Sequence, residues 1–112
     1  MFADVHSDMT IARKETFGPI LSIIPFDTFA DAIQIANSNQ YGLAAGVHTC
    51  DIKKAHKAAA LLKAGTVWVN TYGHFDPSAP FGGYKMSGYG REQGWEALQF
   101  YLQTKTVWVD LS

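Results

Sequence analysis

Pro80-Phe81-Gly82-Gly83-Tyr84-Lys85-Met86-Ser87-Gly88-Tyr89-Gly90-Arg91-Glu92 is the stretch around which this chain is organised. It holds four of the ten glycines. Glycine at that density weakens a helix interior or a central strand. The stretch therefore reads as a long loop whose backbone turns sharply or approaches something closely. Upstream, Thr66-Val67-Trp68-Val69-Asn70 has the composition of a buried strand. Downstream, Glu92 to Gln103 is helix-like. A glycine-rich loop between a strand and a helix is where α/β proteins tend to keep their sites.

Working back toward the N-terminus, Gly65 is a helix stop. It follows a helix capped by Asp51, with Ile52, Ala55, Ala59 and Leu62 as one apolar stripe. Lys53, Lys54, Lys57 and Lys63 keep the other side solvated. Leu43 to His48 is a strand. Thr28 and Asp31 form a variant capping box for a helix with Phe29, Ala32, Ile33 and Ala36 on its buried face. Ile20 to Phe26 is a β-rich run that ends near Pro25, and Gly18-Pro19 breaks the chain before it. A short helix over Met9 to Glu15, capped by Asp8, and an edge strand over Met1 to Val5 complete the N-terminal side. The strand–helix–strand–helix–strand order predicts parallel pairing through crossovers, hence an α/β fold. A last strand is expected at Thr106 to Leu111.

The 112 residues allow one domain with one core, and 47% hydrophobic against 17% charged residues places the chain among globular proteins. A net charge of -1 argues against nucleic acid or an anionic membrane as the main partner. No apolar run approaches the roughly 20 residues of a membrane span. The N-terminal residues Asp4, His6 and Asp8 do not form a signal peptide, and the single cysteine suits a cytoplasmic location.

Few residues suggest chemistry by themselves. Cys50 is the only thiol, and Asp51 is its only ionisable neighbour in sequence, which is not the setting of a nucleophile. His6, His48, His56 and His74 have no metal-ligand spacing and no cysteine cluster, so no metal site is expected. Gly88-Tyr89-Gly90-Arg91-Glu92-Gln93-Gly94 misses the dinucleotide fingerprint, because its third glycine falls one residue late.

Gly65 to Asn70, Pro80 to Gly88 and Gly90-Arg91-Glu92 together resemble the C-terminal part of the aldehyde dehydrogenase superfamily. Lys14-Glu15-Thr16-Phe17-Gly18-Pro19 resembles a second motif of that family, in the right order. The resemblance runs along essentially the whole chain. It implies residues 1–103 as the C-terminal part of a catalytic domain and 104–112 as an oligomerisation strand. The family reaction is NAD- or NADP-dependent oxidation of an aldehyde to a carboxylic acid. A cysteine thiolate attacks the carbonyl, hydride passes to the nicotinamide, and a base-activated water releases the acid.

By that resemblance Glu15 accepts hydrogen bonds from the nicotinamide-side ribose and Phe17 packs beside it. Tyr72, Gly73, His74, Phe75 and Phe81 would line the aldehyde entrance. The matching cysteine and base lie upstream in the family, so no catalytic residue is expected in this chain, and the isolated chain is expected to be inactive. The last strand would join a sheet in a neighbouring subunit, making a homo-oligomer through 106–111. The alternative is a non-catalytic truncated module that binds a small molecule or pairs with full-length subunits.

Overall fold

Ala44–Val47 (β2) and Thr66–Val69 (β3) lie side by side in parallel, with Ala44 opposite Thr66 and Val47 opposite Val69. The computed structural model describes all 112 residues, Met1–Ser112. The crossover between these strands is helix α3, Ile52–Leu61, whose N-terminus is capped as expected. The Asp51 carboxylate accepts from the backbone N–H groups of Lys53 and Lys54. The expected stripe of α3 is present in part: Ala55 is buried and Ala59 and Leu62 are half-buried. Ala58 joins them, buried, while Ile52 is 65% exposed and does not. Alanine at the contact lets the helix lie close on the strands.

Helix α2, Phe29–Asn37, carries both halves of the Thr28–Asp31 capping box. The Asp31 N–H donates to the Thr28 hydroxyl oxygen at 3.1 Å, and the Thr28 N–H donates to the Asp31 carboxylate at 3.1 Å. Phe29, Ala32 and Ile33 are half-buried and Ala36 is exposed, so the apolar face is present but uncovered. The end of α2 is tied to the end of α3 by Asn37. Its side chain accepts from the Lys63 N–H at 2.8 Å and donates to the Leu61 carbonyl at 2.9 Å.

The glycine-rich stretch contains one element that its composition conceals. Tyr84–Lys85 (β4) pairs antiparallel with Tyr41–Gly42 (β1). The loop can approach because Gly65 has no side chain: a Cβ there would overlap the carbonyl of Gly82. Both two-stranded pairs thus meet the loop, and the fold mixes parallel and antiparallel strands.

Several expected elements are shorter. Helix α1 spans only Thr10–Arg13, with Met9 and not Asp8 at its cap, and it buries no residue. One turn without packing gains little against the cost of nucleation. The expected strands Met1 to Val5 and Ile20 to Phe26 reduce to a single parallel bridge, Phe2 with Ser22. Asp4 at φ 55° interrupts the extended backbone between the bonds of Phe2 and Val5 to the second segment, and Pro25 has no N–H to extend that segment. In place of an α-helix from Glu92, an antiparallel bridge pairs Phe81 with Glu92, and a 3₁₀ helix follows over Trp95–Tyr101. Left-handed Gln93 and Gly94 (φ 60° and 62°) delay its start, and none of its residues is buried. Thr106 to Leu111 has no ladder partner within the chain, and every residue from Leu102 to Ser112 is exposed.

The expectation of one core also fails. Only six residues are buried, among them Val5, Ala55, Ala58 and Trp68. The radius of gyration is 19.0 Å, against about 13 Å for a compact domain of this length. The extents are 73 × 32 × 26 Å. Secondary structure is in place, but most apolar side chains lie on open faces. No helix of the structure is long and apolar enough to cross a membrane.

Candidate functional site

The C-terminal ends of β2 and β3 open onto a group of aromatic rings. In open parallel sheets this is the end at which ligands bind. Trp68 is the seat of the group, 9% exposed on β3. Its ring lies 4.7 Å from that of Tyr72 and 5.5 Å from that of Phe75, the latter edge to face. Phe75 in turn meets Phe81 edge to face at 5.1 Å. Edge-to-face and offset pairs place the positive ring edge against the negative face, contributing roughly 0.5–1.5 kcal/mol each beyond burial.

Two further features hold the group. The Trp68 Nε1–H donates to the main-chain oxygen of His74 at 2.8 Å. Gly46 on β2 gives Tyr72 its place, since a Cβ there would stand 2.8 Å from Tyr72 Cδ2. The rings are still open on their outer side: Tyr72 is 66% exposed and Phe75 52%.

Of the five expected entrance residues, the structure thus brings Tyr72, Phe75 and Phe81 together through Trp68. His74 joins by its main chain, while its side chain is exposed. Gly73, at φ 74° and with open space around it, supplies a turn and no wall. Beyond the rings, Asp76 accepts from the Ser78 hydroxyl at 2.6 Å and the Ser78 N–H at 2.8 Å. These bonds, with a smaller contribution from His74, hold its carboxyl below the ordinary 3.8.

Glu15 and Phe17 stand elsewhere. Glu15 is exposed and lines a cleft of about 500 Å³ with Asn37, Lys63 and Ser87. Phe17 is not part of that wall and is 90% exposed. A glutamate side chain has two oxygens that can accept from two vicinal hydroxyls, so Glu15 fits a ribose in chemistry. Cys50 is free and exposed between β2 and α3.

Trp68 and Gly46 are site residues that the sequence reading does not name. The signal for Trp68 is the strand alternation, which sets it opposite in direction to Val67 and Val69. Gly46 gives no such signal, because only the packed ring of Tyr72 explains it.

Comparison with known proteins places the chain. The sequence profile of the aldehyde dehydrogenase family matches residues 1–107. The Bacillus subtilis protein DhaS is 54% identical over 99% of this chain and 22% of its own length. Betaine aldehyde dehydrogenase of Cereibacter sphaeroides is 50% identical over 99% of this chain and 23% of its own. Among solved structures, an NAD+ complex of aldehyde dehydrogenase from Bacillus cereus superposes with a TM-score of 0.92 at 52% identity, covering 98% of this chain and 22% of that one. The chain therefore spans between a fifth and a quarter of the length of the relatives it matches, and by sequence and by fold it belongs to the aldehyde dehydrogenase family.

Proposed function

We propose that this chain is the C-terminal segment of an NAD-dependent aldehyde dehydrogenase, oxidising an aldehyde to a carboxylic acid. The observation that carries the reading is the aromatic group of Trp68, Tyr72, Phe75 and Phe81 at the C-terminal ends of the parallel strands. A mostly apolar wall with few polar groups suits an aldehyde, whose one polar end is the reacting carbonyl. In this reading Tyr72, Phe75 and Phe81 form one side of the entrance, and the cleft of Glu15 receives the ribose hydroxyls. NAD supplies the hydride acceptor when bound. Relatives solved with NAD+ support that choice of cofactor. The nucleophile and the base belong to the remainder of the enzyme, and the apolar faces left open here are where that remainder packs.

The test uses a full-length enzyme carrying this segment. Fully burying a phenylalanine side chain contributes roughly 1.5–3 kcal/mol, enough to change selectivity tenfold or more. Phe75→Ala is expected to lower kcat/KM for phenylacetaldehyde more than for acetaldehyde. An equal loss for both aldehydes would show that Phe75 supports folding and does not read the substrate.

A further inference from the structure

Asn70, immediately after β3, holds β2 by its main chain and the β2–α3 connection by its side chain. Its N–H donates to the Val47 carbonyl at 2.8 Å, one step beyond the β2–β3 ladder. Its φ is 55°, in the left-handed region that asparagine tolerates better than most residues. The main chain therefore leaves the sheet at this point. The side chain stays behind: Oδ1 accepts from the Thr49 N–H at 2.9 Å, and Nδ2 donates to the Thr49 carbonyl at 2.9 Å. The amide thus pairs with Thr49 as a neighbouring strand residue would. The Thr49 hydroxyl oxygen accepts from the Asp51 N–H at 3.1 Å, and Asp51 caps α3.

Two residues beyond Asn70, Tyr72 lays its ring over Gly46 and beside Trp68. The direction in which the chain leaves β3 decides where that ring stands. It also decides where Phe75 meets Phe81. The two ends of the loop are otherwise fixed independently, by the Trp68–His74 bond and by the Phe81–Glu92 bridge.

We infer that Asn70 is a positioning residue for aldehyde size: through its paired bonds to Thr49 it fixes the launch of the 72–81 loop, and so the spacing of the entrance rings. This rests on the reading of that loop as an aldehyde entrance. Both side-chain polar atoms of Asn70 are bonded to Thr49, and its side chain belongs to none of the ring pairs of the entrance. Its effect is therefore on fit, expressed in KM, and not on the chemical step.

The experiment uses full-length enzyme with Asn70→Gly, Asn70→Asp and, as a reference, Phe75→Ala. Glycine keeps the left-handed backbone and loses both side-chain bonds. Aspartate keeps the acceptor for the Thr49 N–H but sets a carboxylate oxygen against the Thr49 carbonyl. Steady-state kinetics with NAD are read for phenylacetaldehyde and acetaldehyde, alongside amide exchange of peptides covering 72–81 and 29–37. The expected result is faster exchange in 72–81 alone. With it, the ratio of kcat/KM between the two aldehydes moves about threefold or more in both Asn70 variants, through KM, while kcat for acetaldehyde stays within about twofold. Faster exchange with an unchanged ratio, or an equal loss for both aldehydes, overturns the inference. If Phe75→Ala shifts the ratio and neither Asn70 variant does, the entrance reading stands and the inference alone fails. An enzyme that oxidises neither aldehyde overturns the functional reading itself and the size-selecting role with it. If Asn70→Gly does not fold, Asn70→Asp, which retains one bond, decides by the same two readouts.

Discussion

The Trp68 indole N–H and the His74 main-chain oxygen are joined at 2.8 Å. The donor belongs to a strand and the acceptor to the loop that leaves it. The same indole ring packs on Tyr72 and Phe75 from that loop. One side chain thus both supports the loop's rings and bonds its backbone. In the full-length enzyme, Trp68→Phe keeps an aromatic seat and removes the donor. The expected loss is about 0.5–1.5 kcal/mol, the net worth of one hydrogen bond, read as a lower urea midpoint at unchanged slope. Trp68→Ala, which also removes the seat, is expected to cost roughly 3–5 kcal/mol. Equal losses for the two variants would show that the bond to His74, and not the ring, holds the loop.

Farther along the same loop, Ser78 determines how Asp76 titrates. The hydroxyl and the N–H of Ser78 both favour the carboxylate, which lowers its pKa from 3.8. A carboxyl lowered on folding contributes stability that is present above the unfolded value and is lost as pH falls through the folded one. The turn is therefore at full strength at neutral pH and weakens only below 3.8. Ser78→Ala removes the larger cause and leaves the N–H. The Asp76 carboxyl signal, followed by carbon NMR, is expected to titrate closer to its ordinary value. An unmoved midpoint would mean that the hydroxyl bond does not form in solution.

Glu15 offers a charge test of the ribose assignment. Glu15→Gln keeps the size and removes the charge. A hydrogen bond to a charged group contributes about 1.5–3 kcal/mol, so hydride transfer in the full-length enzyme is expected to slow roughly tenfold to a hundredfold. Stopped-flow absorbance of the reduced cofactor measures that step. Unchanged rate and unchanged cofactor affinity would leave Glu15 as a solvated carboxylate on a cleft wall.

Local signals were legible in the sequence and long-range ones were not. The Asp51 cap and the Thr28–Asp31 box depend on neighbours three residues apart at most, and both formed. The parallel β2–β3 pair followed from hydrophobic runs and an intervening helix pattern. By contrast, β4 lies inside a glycine-rich stretch, and its pairing with β1 depends on the near-contact of Gly65 and Gly82. Lys85 gives no sequence signal either, yet its ammonium donates to the carbonyls of Asn37 and Asn39 at 3.3 and 2.9 Å, tying the loop to the end of α2. The aromatic residues of the entrance could be named from family motifs, but their seat on Trp68 and Gly46 required the fold. Beside their local backbone causes, the shortened strands and the 3₁₀ helix have one feature in common. Hydrophobic pattern reports a face to be buried, and these faces have little to bury against in this chain.

The isolated chain is expected not to oxidise aldehydes, because in the proposed reading the nucleophile and the base belong to the remainder of the enzyme. Purified chain with NAD or NADP and several aldehydes should give no rise in reduced-cofactor absorbance. Cys50 is the one thiol and is exposed, so it is the only group of its kind that could contradict this. Turnover that survives repurification and disappears in Cys50→Ser would assign catalysis to Cys50.

The C-terminal residues make the assembly proposal testable on the chain itself. Along an extended strand Val107, Val109 and Leu111 face one way and Thr106, Trp108 and Asp110 the other. Here Trp108 is 92% exposed and Leu111 93%, so neither face packs back on its own chain. A tryptophan in water among unpaired backbone N–H and C=O groups invites a second chain to pair along the strand. Val107 and Val109, on the opposite face, are also open, at 71% and 73% exposure. The chain is therefore expected to self-associate, at least to a dimer, or to aggregate through 106–111. Light scattering across a concentration series should show mass rising with concentration, and deletion of 106–112 should reduce it. Trp108→Ser removes the largest apolar group while keeping the backbone edge, and it should weaken association less than the deletion does. A monomer at every concentration, unchanged by either alteration, would remove the assembly role from this strand.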